Sequence, residues 1–369
     1  MLEDASSRTS LFSAATSAAK GSALEIVSAD RSAKLKFKGQ IQIRHVYNHR
    51  EGAGVDQDDH GFENRRIRPK IGGSLHNGKV PFGVFGDPGR TGSFKLLDAW
   101  FGYVPSDGHR FRIGQFAPGF TREQLVSSTK RLASDNSIAH PSFTVDRSQG
   151  IEYRNRGEDW TTYVFVGDGV NDKNTPYTND ADYGLTARVQ RKFGGNWKRF
   201  DDFAGWQGEE TAYLFGTGLH ISGGEIDADG GGMVDDDFYD FRYTLDASVE
   251  GDGWNAFAAF FGQKTDAQGI SEVNRYGLTL QGGVFVTENI DIFAQYAWAD
   301  DDADLGELSV VTAGFNKYIK GHTIKLTVDA NYALEEVTST YVNGSRGYLV
   351  DAMGESGQFV LRSQIQLLF

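Results

Sequence analysis

The chain has 369 residues, of which 39% are hydrophobic and 13% aromatic, with 46 glycines, 7 prolines and a formal net charge of -13. No apolar run approaches the roughly 18 residues of a membrane-spanning helix. The acidic balance argues against general nucleic-acid binding, and a count of 0 cysteines removes disulfides, thiolate metal sites and cysteine nucleophiles. What remains is either two or three soluble domains or one large barrel of amphipathic strands. Such a barrel stays hydrophilic overall because only about half of each strand faces lipid.

Residues 1–33 are rich in Ser and Ala, with a short helix expected around Leu11–Leu24. They read as a tail or small periplasmic segment ahead of a barrel over 34–369. Met1-Leu2-Glu3-Asp4 starts acidic with no apolar core behind it, so no signal peptide is visible, and an exported protein with this sequence would be a processed or recloned form. The first strong strand is Lys34–Arg44. There Lys34, Lys36, Lys38, Gln40, Gln42 and Arg44 alternate with Leu35, Phe37, Gly39, Ile41 and Ile43. The second, Phe62–Leu75, sets Arg66, Arg68 and Lys70 against Ile67, Pro69 and Ile71. An Asn77-Gly78 hairpin turn leads to strands at Val80–Gly86 and Phe94–Val104. Pro105–Gly108 turns into His109–Phe116, which carries Arg110 and Arg112 on one face. Alternation then stops over 117–147, a segment containing Arg122, Lys130 and Arg131. It resumes at Gly150–Arg154 and continues through Trp160–Val166, Tyr183–Phe193, Thr211–Ile221, Tyr239–Glu250, Trp254–Gln263, Val273–Val286, Asn289–Ala299, Leu308–Tyr318, His322–Leu334 and a last strand, Phe359–Phe369.

The expected fold is all-β: a transmembrane antiparallel β-barrel of about 16 strands, a porin-like number. Short turns alternate with long connections, which places both ends of the barrel sequence on the short-turn, periplasmic side. Two connections break the rule: 87–93 is brief where a long loop belongs, and 194–210 is long where a turn belongs. A soluble propeller would need a 40–50 residue repeat, and none is present. The last strand alternates Phe359, Leu361, Ile365, Leu367 and Phe369 with Arg362, Gln364 and Gln366. It is expected to pair with Lys34–Arg44, with Phe369 toward lipid and Arg362 toward the lumen. Lys or Arg at the lipid midplane costs about 2–4 kcal/mol, so charged faces must line the lumen. Rows of Lys and Arg at alternate positions then favour anions, Arg adding a planar donor fork for oxyanions.

These residues resemble a known family. Phe62-Glu63-Asn64-Arg65-Arg66-Ile67-Arg68 with Gly72 is similar to the Arg-Arg-x-Arg strand of the phosphate- and polyphosphate-selective porins, the porin O and P family of Gram-negative outer membranes. Leu97-Asp98-Ala99-Trp100 resembles that family's Asp-Ala-aromatic strand. Gly114-Gln115-Phe116 with Phe120, Glu123, Leu125, Ser127 and Ser128 resembles the start of its pore-constricting loop, and Phe143 through Arg147 with Gly150 that loop's exit. The resemblance implies a homotrimer of 16-stranded barrels in the outer membrane, a long third outer loop folded into each pore, and basic residues drawing anions such as phosphate inward. The chain departs from the family at Ala117-Pro118-Gly119-Phe120, where Lys-x-Pro-Phe is usual. Arg122, Lys130 and Arg131 are candidates to replace the missing lysine. Arg65 has the wrong parity for the lumen and requires a rim position or a β-bulge.

The anion-binding or pore-lining set is therefore Lys36, Lys38, Arg44, Arg66, Arg68, Lys70, Arg110, Arg112, Arg122, Lys130 and Arg131. No catalytic residue, metal or cofactor is expected, and the partners are permeating anions and outer-membrane lipid, not nucleic acid. Two features oppose this reading or stand outside it. Acidic stretches at Asp227–Asp237 and Asp300–Asp304 lie in long loops, lack the EF-hand spacing and repel anions, which keeps open a general or weakly cation-preferring porin. His45 and His49 beside Asp56–Asp59 are the one candidate group for a rim-site hydrolase, and a structural surface barrel is the remaining alternative.

Overall fold

The computed structural model describes residues 16–20, 23–51, 56–90, 92–177, 181–227, 235–267, 270–303, 306–342 and 346–369. A hairpin, β1 (Thr16–Lys20) and β2 (Ala23–Val27), precedes sixteen strands. These are β3 (Lys34–Arg50), β4 (Gln57–Leu75), β5 (Val80–Asp87), β6 (Lys95–Tyr103), β7 (His109–Phe116), β8 (Ser148–Arg156), β9 (Trp160–Gly167) and β10 (Ala181–Phe193). They continue with β11 (Ala212–Asp227), β12 (Asp235–Glu250), β13 (Trp254–Ala267), β14 (Ile270–Thr287), β15 (Ile290–Asp301), β16 (Leu308–Lys320), β17 (Ile324–Ala333) and β18 (Phe359–Leu368). From β3 onward each pairs antiparallel with the next, and β18 pairs with β3 from Leu368↔Gln40 to Phe359↔His49. The sheet is thus a closed 16-stranded barrel with the hairpin appended.

The helix expected around Leu11–Leu24 is not what forms. Residues 11–15 lie outside the described ones, and the described remainder is the hairpin. The physical reason is an open edge. β18 pairs with β3 as far as Gln40 and the Phe369 backbone bonds Gly39, leaving Lys34–Lys38 without a partner from that strand. β2 covers it, from Leu24↔Phe37 to Val27↔Lys34.

Period-2 alternation sorts the faces as the lipid penalty requires. In β18, Val360, Arg362, Gln364 and Gln366 are buried while Ile365 and Leu367 are exposed; in β17, Lys325, Thr327, Asp329 and Asn331 are buried. The inward residues are buried because the lumen is partly filled. The segment between β7 and β8, the third connection at the long-loop end, takes hydrogen bonds from strands all around the barrel. Gln40 Nε2 donates to Ser128 Oγ (3.0 Å), Arg188 to Phe120 O (2.7 Å), Arg242 to Thr144 O (2.7 Å), Asn316 to Leu132 O (3.0 Å) and Lys325 Nζ to Arg131 O (2.7 Å).

Two further segments join it. The connection 194–211, too long for a turn, folds inward and buries Phe203 and Ala204, with Trp206 packed between Phe285, Tyr318 and His322. The connection 334–358 buries Val337, Tyr341 and Tyr348. With Leu132, Ile138 and Phe143 they pack on an apolar inward patch of Phe257, Phe261, Phe293 and Ala297. The filling is one-sided. The β4–β8 wall keeps the open space, and the run β5 to β9 consists of strands only 8 or 9 residues long.

Gly114 shapes the start of the β7–β8 segment. Its φ is 125°, a left-handed value that favours glycine, and an added Cβ would run into the Ala99 carbonyl oxygen. Strain of this type costs on the order of 1–3 kcal/mol. Gly114→Ala is therefore expected to lower the yield of folded barrel, read as the heat-modifiable fraction on electrophoresis; a wild-type yield would show that the backbone shifts freely here.

Candidate functional site

Along β4 the inward positions bring Arg66, Arg68 and Lys70 into one row. The register shift between Gln42 and Ile43 of β3, which pair with Arg66 and Asn64, makes Arg65 the extra residue of a β-bulge, and this is how a residue of outward parity reaches the interior. These four side chains line a cavity of about 680 Å³. Arg131 and Arg147 reach it from the β7–β8 segment, Arg242 from β12 and Arg346 from the 334–358 connection. The acidic lining residues are Asp98 and Asp146.

Most of these cations are held by carboxylates. Arg68 Nε lies 2.7 Å from Asp87, Arg147 Nε 2.7 Å from Asp98 and Arg242 Nε 2.6 Å from Asp240, while Arg65 and Arg66 meet Asp135. Lys70, Arg131 and Arg346 enter no ion pair among the described residues. The Nε atoms of Arg131 and Arg346 have no hydrogen-bond partner, and Lys70 Nζ sits 4.8 Å from the Phe85 ring centroid. Burial is the main force lowering the Arg131 guanidinium, to about 9, with Arg346 adding to it, and burial likewise brings Arg346 to about 10. Both keep their charge at neutral pH.

A second cavity, about 560 Å³, opens toward the short-turn end between Lys34, Lys36, Lys38 and Arg112. It shares Lys70, Phe85 and Asp98 with the first, so the two form one basic path along the β3–β7 wall. Lys34 and Lys36 pair with Glu25 of β2 at 3.3 and 3.2 Å.

Of the sequence-derived set, Arg66, Arg68, Lys70 and Arg131 thus line the upper cavity, and Lys36, Lys38, Lys70 and Arg112 the lower. Arg44 is buried in the wall, 2.6 Å from Glu63 and 2.7 Å from Asp135. Arg110 stacks near Trp100 at 5.9 Å and lies 3.7 Å from Glu152. Arg122 and Lys130 line neither cavity. Arg122 donates to Asp202 O at 3.2 Å and stacks over Phe203, and Lys130 lies 4.0 Å from Asp201, so both tie the β7–β8 segment to the 194–211 connection.

The sequence reading passed over Arg147, Arg242 and Arg346 as lining residues. Arg242 was accessible from the inward series Asp240, Arg242, Thr244 and Asp246; Arg346, in an aperiodic connection, carries no such signal. His49 pairs with Asp58 at 3.0 Å and His45 packs edge-on against Phe62. Of the acidic stretch Asp227–Asp237, residues 228–234 lie outside the described ones; Asp227 ends β11 and Asp235–Asp237 open β12, so its ends are paired strand and not loop. Among those described, no group of three or more His, Asp or Glu is placed to hold a metal ion.

The profile of the phosphate-selective porin O and P family matches residues 35–225, more than half of the chain. The chain belongs to this porin family. As a porin it is a β-barrel channel of the bacterial outer membrane. No curated protein matches it at the sequence level. Solved structures agree with the fold. The porin is similar to the anion-selective porin from Comamonas acidovorans (TM-score 0.66, 13% identity, 91% of this chain and 100% of that one). It is also similar to the outer-membrane protein OmpT of Vibrio cholerae (0.63, 10%, 92% and 98%) and to the outer membrane channel DcaP of Acinetobacter baumannii (0.59, 12%, 91% and 98%).

Proposed function

We propose that this porin passes small hydrophilic anions of the phosphate class by diffusion. The observation that carries the reading is the basic path through both cavities, along which Lys70, Arg131 and Arg346 enter no ion pair among the described residues. Fixed cations in a lumen with low-dielectric walls concentrate anions by several kT. The guanidinium forks suit oxyanions, and attraction shared among many groups lets an ion leave as well as enter. The β7–β8 segment narrows the route and sets its charge.

We propose that the copies assemble as a homotrimer, a reading that the low wall supports. Strands of 8 or 9 residues at barrel tilt fall short of the apolar band of about 25 Å that lipid requires. Contact of β5–β9 with neighbouring copies removes that wall from lipid.

Planar-bilayer recording tests the reading. Purified protein in a KCl gradient is expected to give a reversal potential of anion-preferring sign, and millimolar phosphate to block the chloride current. Cation preference would overturn the anion reading while leaving the porin; absence of channels would remove both.

A further inference from the structure

Asp135, in the β7–β8 segment, faces an unusual number of arginines. Its carboxylate, fully buried, lies 2.7 Å from Arg44 and 2.9 Å from Arg65, bonds Arg66, and stands 3.9 Å from Arg362. Arg44 and Arg362 each have a second carboxylate, Glu63 at 2.6 Å and Asp329 at 2.5 Å. Among the described residues Arg65 and Arg66 pair only with Asp135, and both line the upper cavity. Burial opposes charge on Asp135, but Arg65, Arg66, Arg44 and Arg362 hold its carboxyl well below the usual range, so it stays an anion at neutral pH.

Its two oxygens therefore occupy the donor edges that a permeating oxyanion would use. From this geometry we infer that Asp135 is a tethered competitor of the permeating anion, weakening its hold on Arg65 and Arg66 so that the ion is released rather than trapped. The inference rests on the anion reading above. It is consistent with the general requirement that a conducting site bind weakly enough to let go. A purely anchoring role predicts something different, because Asp329 anchors the same stretch. Asp329 accepts from Ser134 N at 2.9 Å and from Arg362 Nε. Neither carboxylate itself lines the cavity, but Asp135 alone of the two holds Arg65 and Arg66, which do.

The test is phosphate block of the chloride current in planar bilayers for the parent, Asp135→Asn and Asp329→Asn. Asp135→Asn is expected to lower the half-blocking phosphate concentration about tenfold, the equivalent of one strong charge-assisted contact. Asp329→Asn is expected to leave it unchanged. An unchanged or higher value in Asp135→Asn overturns the proposal, and so does equal tightening in Asp329→Asn, which would trace the effect to loop displacement. Block in Asp135→Asn without block in the parent supports the competitor while overturning the anion reading of the parent. Block in neither overturns both. If Asp135→Asn does not fold, Asp135→Asn with Arg44→Gln removes one charge of each sign, leaves Glu63 its contact with Arg90, and is read by the same criteria.

Discussion

Replacing Lys70, Arg131 and Arg346 together by glutamine is expected to abolish anion preference, bringing the chloride-to-potassium permeability ratio to about one, while the barrel still folds. At about 6 Å and an effective dielectric of about 20, each unpaired cation attracts an anion by roughly 3 kcal/mol before salt screening. Three of them outweigh the neutralised pairs around them. The choice of residues matters. Arg66 and Arg68 are more conspicuous in the sequence, but their loss would take one partner from the buried Asp135 and the Arg68 ion pair from Asp87, a change that disturbs structure as well as charge. The triple variant orphans no carboxylate. Reversal potentials across a KCl gradient decide it. Retention of the parent's anion preference would move the selective region to Lys34, Lys36, Lys38 and Arg112 of the lower cavity.

The second large effect concerns 194–211. Replacing residues 197–207 by a short Gly-Ser turn is expected to about double the single-channel conductance, since a barrel of this strand number otherwise holds open water. The segment inserts Phe203, Ala204 and Trp206 beneath the β7–β8 segment. It also supplies the Asp202 carbonyl that Arg122 bonds and the carboxylate that His322 meets at 3.2 Å. Losing two buried aromatic side chains lowers stability by roughly 3–5 kcal/mol each. The sixteen-strand hydrogen-bond network is untouched, so the barrel persists with a wider bore. Unchanged conductance would mean that the narrowest point lies wholly along the β4–β8 wall.

Strand positions were legible in the sequence because the bilayer makes alternation obligatory. All sixteen expected strands are present, several, such as β3, β4 and β11, with ends extended where paired rims continue, and β6 and β17 one or two residues shorter at each end than expected. The β4 row of Arg66, Arg68 and Lys70 was legible for the same reason. What lies between strands was not. Arg346 and Arg147 reach the path from connections with no periodicity, and Arg122 points to a neighbour, 194–211, whose inward folding no local pattern encodes. The inward aromatic patch of Phe257, Phe261 and Phe293 also escapes, since alternation tells two faces apart but cannot say that part of the lumen is dry. At residues 16–20 and 23–24 helix propensity lost to the need to satisfy an exposed sheet edge.

The seam between β18 and β3 has a consequence for biogenesis. Its paired residues lie roughly 320 positions apart along the chain, so no shorter stretch can close the ring. Any partial chain presents two open strand edges and a lipid-ready face to water, the combination most prone to misassociation. Closure of the barrel must therefore wait until β18 has been made and can capture the early-made β3. Slowing that capture would lengthen the window for aggregation without altering a single contact in the finished channel.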